Sequence, residues 1–216
     1  MRNRPVRTRP TRAQTRERIM DGALEAFAER GFQGASQEDI CERVGLSRGA
    51  YNSSFQSKEE LFFAIYDRTI ERLELRLEEA ITSALPAAGS AVENFVRAFI
   101  GGYTFDRNWY LLQAEFGLHA LRNPGVASHY AERQGRILSL IERAIGRLVR
   151  EDEHSRCAGF PRIARLILAI HEGNMFQSLL EPEKVPEGQL LALFGTFMTG
   201  GIDDDVSLNP FSNGRS

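Results

Sequence analysis

The chain has 216 residues, of which 42% are hydrophobic and 26% are charged, the balance of an ordinary soluble globular protein with room for one small and one larger domain. Its two cysteines form no CxxC pair, so nothing indicates a disulfide framework. The net charge of −2 is unevenly distributed, because residues 1–58 hold 11 Lys and Arg against 7 Asp and Glu, whereas residues 59–216 hold 16 against 22. A basic N-terminal part suits phosphate contacts at one end of the chain.

The sequence predicts neither a membrane span nor a secretion signal. The longest uncharged run, residues 188–202, has 15 residues and includes threonines and glycines. A membrane span requires about 18 apolar residues, and the N-terminus lacks the apolar core of a signal peptide. We therefore expect a cytoplasmic protein without membrane contact.

The chain begins with a basic segment, residues 1–10, which we expect to be a flexible arm. Thr11 or Thr15 then opens a first helix that Gly31 ends. Seven arginines precede Ile19 and face a single acidic residue in the same stretch. Such arginines commonly enter a narrow, A·T-rich minor groove, and a solubilising tail is the alternative interpretation.

Two short helices joined by a tight turn follow the first helix. Ser36 has Asp39 three residues later, a capping-box spacing that opens a second helix, which Gly45 ends. Ser47 caps a third helix over residues 48–54. We expect Ala50 and Phe55 to be its buried positions. This pattern predicts a helix-turn-helix whose third helix enters the DNA major groove.

All later segments are also predicted to be helical. Ser57 and Glu60 form a second capping box at the start of a long fourth helix, Lys58 to about Ala84. The fifth to ninth helices are expected near residues 92–103, 109–120, 126–150, 162–181 and 187–201. No strand pattern occurs, so the fold class is all-α with about nine helices.

Residues 15–66 resemble the DNA-binding domain of tetracycline-repressor (TetR) family transcriptional regulators. The matching segments, in the family's order and spacing, are TRERIMDGALEAFAERGF, the small-residue-Ser step into the second helix, GLSRGAY at the turn and F-x-SKEELF. The resemblance implies an N-terminal three-helix helix-turn-helix domain and a C-terminal helical ligand-binding and dimerisation domain. The expected boundaries are a basic arm at 1–10, the DNA-binding domain at 11–57, the C-terminal domain at 58–202 and a flexible tail at 203–216.

The candidate DNA contacts lie on the third helix, at helix starts and at the base of the arm. Arg48 suits phosphate or guanine. Asn52 stands where the family usually has tyrosine, and we hypothesise that it reads adenine N6 and N7. The serines at helix starts are either phosphate contacts or pure helix caps. The full set is Ser36, Gln37, Ser47, Arg48, Gly49, Tyr51, Asn52, Ser53, Lys58, Arg12 and Arg16.

A small-molecule site is predicted among the later helices. Aromatic side chains are dense on the fifth and sixth helices, and such stripes more often form core than a pocket. Polar side chains on the same faces favour a pocket. The resemblance implies an effector, and the aromatic content predicts a hydrophobic or aromatic one. The candidates are Phe99, Tyr103, Trp109, Gln113, Phe116, His119, His171, Asn174 and Met175.

The eighth and ninth helices are apolar on several sides, which predicts that they are covered on several sides. The resemblance implies a homodimer, which would place two recognition helices about 34–36 Å apart on a pseudo-palindromic operator. The candidate interface residues are Ile163, Ile167, Ile170, Leu190, Phe194 and Phe197.

These observations predict a repressor that a small molecule releases from its operator. An activator or co-repressor of the same fold, or a ligand-independent architectural DNA-binding protein, is the alternative. No enzyme is expected, because no second His follows His171-Glu172 and no Gly-x-Ser-x-Gly elbow or phosphate-binding glycine loop occurs. No cofactor or metal is expected, since His154 and Cys157 are too few ligands for a metal site.

Overall fold

The structure is a computed structural model that describes residues 11–88, 90–101, 106–148 and 159–198. For residues 197 and 198 it describes the backbone but not the side chains. Within these ranges the chain is helical and contains no strand, which confirms the all-α prediction. The helices are α1 (Arg12–Gly34), α2 (Gln37–Val44), α3 (Arg48–Asn52), α4 (Lys58–Ala84), α5 (Ala91–Gly101), α6 (Arg107–Arg122), α7 (Pro124–Leu148), α8 (Phe160–Leu180) and α9 (Gln189–Met198). None of them is long and apolar enough to cross a membrane.

The helices group into two compact units. The first unit comprises the chain up to Arg68 together with residues 106–130, and the second comprises residues 69–105 and everything from Ala131 onward. The first unit thus contains α6 as well as α1 to α3, and it extends beyond residues 11–57. Helix α4 is shared, because it begins in the first unit and continues into the second.

Local capping rules explain how α1 begins and ends. Thr11 and Gln14 form a capping box, in which each side chain binds the other residue's backbone N–H, so Thr11 rather than Thr15 opens the helix. Gly31 interrupts the helical geometry with φ 75° and ψ 161°, and a short further turn then runs to Gly34. Glycine suits this position because a positive φ is unfavourable for residues with a Cβ.

The helix-turn-helix follows the same rules. Ser36 and Asp39 form the expected capping box, and Gly45 ends α2 in the left-handed conformation with φ 62°. Ser47 caps the five-residue α3 by accepting from the Ala50 N–H. Ala50 was expected to be buried and is only half-buried, because the Tyr51 ring occupies the inner side of this short helix with 3% of its surface exposed.

The second capping box, expected at the start of α4, forms only in part. The Ser57 hydroxyl accepts from the Glu60 N–H at 3.1 Å, but the Glu60 carboxylate accepts from the Gln56 N–H at 2.7 Å. The return bond is therefore displaced by one residue, to a donor that precedes the cap, and the Ser57 hydroxyl pairs one backbone donor of the first turn of α4, the Glu60 N–H.

An aromatic core holds the first unit together. The rings of Phe62 on α4 and Phe116 on α6 are stacked with centroids 3.5 Å apart, and Phe32 at the end of α1 meets Phe116 edge-on at 4.9 Å. All three side chains are at most 1% exposed. Burying a side chain of this size contributes about 1.5–3 kcal/mol, so α6 is anchored to α1 and α4 by a shared hydrophobic core.

In the second unit, α9 packs against both α5 and α8. Asn174 on α8 fastens the start of α9, because its Oδ1 accepts from the Leu190 N–H at 2.8 Å. Its Nδ2 donates to the Ser178 hydroxyl at 2.9 Å. A buried amide with both ends paired fixes the relative position of α8 and α9.

Candidate functional site

The outer side of α3 has the exposure that major-groove contact requires. Arg48, Gly49, Asn52 and Ser53 are all exposed. Asn52 Oδ1 accepts from Gln37 Nε2 at 2.6 Å, so the preceding helix orients this side chain. A carbonyl oxygen has a second lone pair, so an oriented Asn52 still offers a donor and an acceptor to a base edge.

Arg48 is paired with Glu38 across the turn, and both side chains are more than half exposed. An exposed ion pair contributes at most about 1 kcal/mol. Exchanging Glu38 for a phosphate or a guanine edge is therefore inexpensive, and the pair keeps Arg48 extended toward the solvent on the recognition side.

The serines at the helix starts act as caps in this structure. The Ser36 hydroxyl donates to Asp39 Oδ2 at 2.7 Å and accepts from the Asp39 N–H at 3.1 Å. The backbone and hydroxyl hydrogen bonds from Ser36 lower the pKa of Asp39, which therefore stays ionised at the start of α2. The Asp39 carboxylate already occupies the start of α2, so phosphate contacts by Ser36 and Gln37 stay predictions. The Ser47 hydroxyl caps α3, and a phosphate contact by Ser47 likewise stays a prediction.

Two arginines of α1 bind the end of the recognition helix. Arg12 donates to the Ser53 carbonyl at 3.1 Å, and Arg16 donates to the Ser54 carbonyl at 2.6 Å. The Arg16 guanidinium also lies 4.0 Å from the centroid of the Phe55 ring. These side chains fix the C-terminal end of α3, and direct DNA contact by either of them stays a prediction.

Lys58 and Glu115 both bind the backbone at the end of α1. Lys58 Nζ lies within 3.2 Å of the carbonyl oxygens of Phe32, Gln33 and Ala35. Glu115 accepts from the Phe32 N–H at 2.6 Å, and a Cβ on Gly31 would lie 2.8 Å from its carboxylate. We call this pair the α1 clamp. It joins the turn before α2 to both α4 and α6.

Tyr51 differs from the other candidate DNA contacts because it lies inside the unit. Its hydroxyl is buried without a hydrogen-bond partner among the described residues. Burial raises its pKa to about 12, so the phenol stays protonated. Contact between Tyr51 and DNA stays a prediction, and the exposed residues of α3 are better placed to reach DNA.

The second unit contains a cavity of about 200 Å³ between α5, α8 and the start of α9. Its wall is mostly apolar, with His171 and Asn174 as polar members from α8. Burial lowers the pKa of His171 to about 4, so the imidazole is neutral at neutral pH. The lining residues are Phe99, Ile100, Gly101, His171, Asn174, Met175, Glu187, Gly188 and Leu191.

The ligand-binding candidates separate into two groups. Phe99, His171, Asn174 and Met175 line the cavity. The candidates on α6 belong to the first unit, where Phe116 is core and His119 Nδ1 lies 2.9 Å from Gln33 Nε2. Tyr103 lies outside the described residues. Ligand contact by Trp109, Gln113, Phe116 and His119 stays a prediction without support from this cavity.

Two family models match the sequence, and together they span most of it. "Bacterial regulatory proteins, tetR family" matches residues 19–65, and "BetI-type transcriptional repressor, C-terminal" matches residues 88–202, which is more than half of the chain. The chain belongs to the TetR family. It is accordingly a DNA-binding transcriptional regulator and not an enzyme, and α2 and α3 are the helix-turn-helix of this TetR-family protein.

Some TetR-family relatives are similar over nearly the whole length, and others over the N-terminal part alone. The HTH-type transcriptional regulator UidR of Escherichia coli K12 is 29% identical over 193 residues, covering 89% of this chain and 95% of its own. The HTH-type transcriptional repressor AcnR of Corynebacterium diphtheriae is 41% identical over 61 residues, or 28% of this chain and 32% of its own. The solved structure of Salmonella enterica GusR has a TM-score of 0.63 at 26% identity, covering 87% of this chain and 94% of its own.

Sequence reasoning about this TetR-family chain missed two features. Glu115 lies 83 residues from its partner Phe32, and no local spacing rule connects residues that far apart. The outer face of α8 exposes Leu166, Phe176 and Leu180 by 48%, 53% and 65%. Their heptad-like spacing in the sequence was a usable signal for this second feature.

Proposed function

We propose that this chain is a repressor that binds a pseudo-palindromic operator as a homodimer and leaves it when a small molecule occupies the second unit. The observation that carries the proposal is the apolar cavity with a few convergent polar groups, the usual composition of a small-molecule site. It lies in a unit separate from the helix-turn-helix. A regulator with such a cavity has a place where a ligand can alter its DNA affinity.

Sequence readout in this proposal depends on Arg48 and Asn52. Both project from the exposed side of α3, and each is already oriented by a residue of α2. Arginine matches guanine O6 and N7, and asparagine matches adenine N6 and N7. The operator half-site is therefore expected to contain a guanine and an adenine within reach of one short helix.

The basic arm adds a minor-groove contact in this proposal. Residues 1–10 lie outside the described residues, and Arg12 and Arg16 follow them at the start of α1. A chain lacking residues 1–10 should bind its operator more weakly and with a smaller dependence of affinity on salt concentration. Equal affinity and an equal salt dependence would leave the arm as a solubilising tail.

The exposed face of α8 supports dimerisation. Leu166, Phe176 and Leu180 lie on the side of the helix roughly opposite His171, given 100° per residue. Large apolar side chains aligned on one exposed face indicate an interface. The expected interface residues Ile163, Ile167, Ile170, Leu190 and Phe194 are half-buried within the protomer, and the Phe197 side chain lies outside the described residues. Their place in the interface stays a prediction.

Helix α4 gives the ligand a route to the DNA-binding unit. Arg76 on α4 donates to the carbonyl of Phe99 at 3.3 Å, and its guanidinium lies 5.6 Å from the centroid of that cavity-lining ring. The same helix begins at Lys58 in the α1 clamp. A ligand that displaces Phe99 therefore acts on a helix whose other end positions the helix-turn-helix, and this shifts the population toward a state that fits the operator poorly.

Mapping of the protected DNA tests the proposal. The full-length protein should select duplexes with two inverted half-sites about 34–36 Å apart from a random pool, and light scattering should give the mass of a dimer. Phe176→Glu should yield a monomer that no longer protects the site, whereas Gln177→Glu, the same new charge at the neighbouring exposed position, should not. Selection of single half-sites by a monomeric wild type would refute the homodimer.

A further inference from the structure

The size of the cavity limits what it can hold. Its volume of about 200 Å³ is below the range of roughly 300–1,000 Å³ typical of drug-sized ligands. A cavity of about 150 Å³ lined by Leu, Ile and Phe binds benzene. By proportion, this cavity has room for about eight non-hydrogen atoms, which is a single ring with one or two substituent atoms.

The chemistry of the wall limits the charge of the occupant. Phe99, Ile100, Met175 and Leu191 provide an apolar surface. The described lining residues include no cation, and their one acidic member, Glu187, is exposed. Transfer of an ion into such a site without a buried partner is strongly unfavourable, so both anions and cations are disfavoured.

The polar groups of the wall are not equivalent. Asn174 uses one Oδ1 lone pair to fasten the start of α9 and one Nδ2 hydrogen to bind Ser178 on its own helix, so one donor and one lone pair of this fixed amide remain. His171 differs, because a neutral imidazole carries one donor and one acceptor nitrogen. It can therefore bind a protein group on one side and a ligand group on the other, and a hydroxyl suits either nitrogen.

We propose that the cavity binds a small uncharged molecule of about the size of one aromatic ring that carries one hydroxyl-type group, and that His171 hydrogen-bonds this group. The inference names the effector class for the proposed function and therefore rests on it. It selects against charged ligands and against molecules of two fused rings.

Five probes of related shape test this class directly. Phenol has the expected size and group, toluene lacks the hydroxyl, benzoate and benzylammonium carry opposite charges, and 2-naphthol adds a ring. The methyl group of Met175 reports occupancy in a proton–carbon NMR spectrum because it lines the cavity. Met20, buried in the first unit, is the internal control.

Phenol should shift the Met175 methyl signal with a Kd of about 1 mM or tighter and leave Met20 unchanged. Toluene should bind roughly threefold to tenfold more weakly, since one hydrogen bond is lost. The two ions should bind at least about 100-fold more weakly, and 2-naphthol should not enter. His171→Leu should reduce phenol affinity to that of toluene, whereas His129→Leu, the same change at an exposed residue of the first unit, should not.

The inference is overturned if either ion matches phenol, if 2-naphthol binds as well, or if phenol leaves Met175 unshifted at about 10 mM. Operator release is measured separately on the full-length protein. Phenol that shifts Met175 while the operator complex persists supports the ligand class and contradicts release by this occupancy. Release accompanied by a shift of Met20 alone contradicts the ligand class and leaves release intact.

Discussion

Lys58→Met separates two roles for one cation. The resemblance assigns Lys58 to the DNA backbone, whereas the structure places its Nζ 2.9, 3.2 and 3.1 Å from three carbonyl oxygens at the end of α1. It also lies 5.2 Å from the centroid of the Phe32 ring. Methionine retains most of the apolar stem and removes only the charge and the three donors.

The expected destabilisation follows from these contacts. A hydrogen bond to a charged group contributes about 1.5–3 kcal/mol, but the three bonds share one half-buried ammonium, and water can reach part of the exposed carbonyls. We therefore expect a loss of about 2–3 kcal/mol in the free energy of unfolding. Lys184→Met is the matched control, because its pair with Glu181 at 2.7 Å is exposed. That variant should change stability by less than about 0.5 kcal/mol.

Two measurements distinguish the roles. Urea denaturation at fixed protein concentration gives the free energy of unfolding, and operator titration at several salt concentrations gives the slope of log K against log salt. If Lys58 acts only in the α1 clamp, Lys58→Met lowers the free energy of unfolding and leaves the salt slope of operator binding unchanged. If Lys58 contacts a phosphate, Lys58→Met reduces the magnitude of the slope by about 0.9 for each Lys58, or about 1.8 for a dimer. Unchanged stability with a reduced slope would refute the clamp.

Three further substitutions test the site, the α1 clamp and the cavity. Asn52→Ala should cost about 1–3 kcal/mol on an operator with the matching adenine and little on one without it, and an equal loss on all base variants would contradict adenine readout. Glu115→Ala leaves the Phe32 N–H unpaired and should destabilise by about 1–3 kcal/mol, whereas Glu115→Gln keeps an acceptor and most of the stability; equal losses would argue against a hydrogen-bond role. Burial lowers the pKa of His171 to about 4, so as pH falls the unfolded chain takes up this proton before the folded protein does. The free energy of unfolding of the wild type should therefore fall by about 2 kcal/mol between pH 6.5 and 4.5 relative to that of His171→Leu. Burial raises the pKa of Glu172, which has the opposite effect on stability, but both proteins contain Glu172 and the comparison cancels it. Parallel curves of stability against pH for the two proteins would contradict a buried neutral imidazole.

The features that followed from sequence are those set by neighbours in the chain. The Ser36–Asp39 capping box and the left-handed Gly45 each depend on residues within a turn or two, so spacing rules predict them. The Glu115–Phe32 bond and the core of Phe62 with Phe116 join distant helices. An amphipathic pattern predicts that such side chains are buried but does not identify what covers them.

Asn174 shows the same limit at the cavity. A polar residue on an apolar face predicted a ligand contact, and the structure does place it in the cavity wall. Its amide, however, is hydrogen-bonded to the start of α9 and to Ser178. A buried amide in an apolar face requires partners, and sequence alone does not distinguish a backbone partner from a ligand.

A recognition helix as short as α3 cannot be stable alone, because an isolated helix of five residues is far below the length that forms in water. Its position depends on the arginines of α1 and, through the α1 clamp, on α4 and α6. In the proposed mechanism, a displacement of α4 is therefore passed to α3 through these contacts. Lowering operator affinity 100-fold requires a ligand preference of at least about 2.7 kcal/mol for the non-binding state, and about 5.5 kcal/mol where the population shifts from 99:1 to 1:99. In the proposed mechanism, a ligand of about eight non-hydrogen atoms, whose binding limit is near 12 kcal/mol, has enough binding energy to supply this preference.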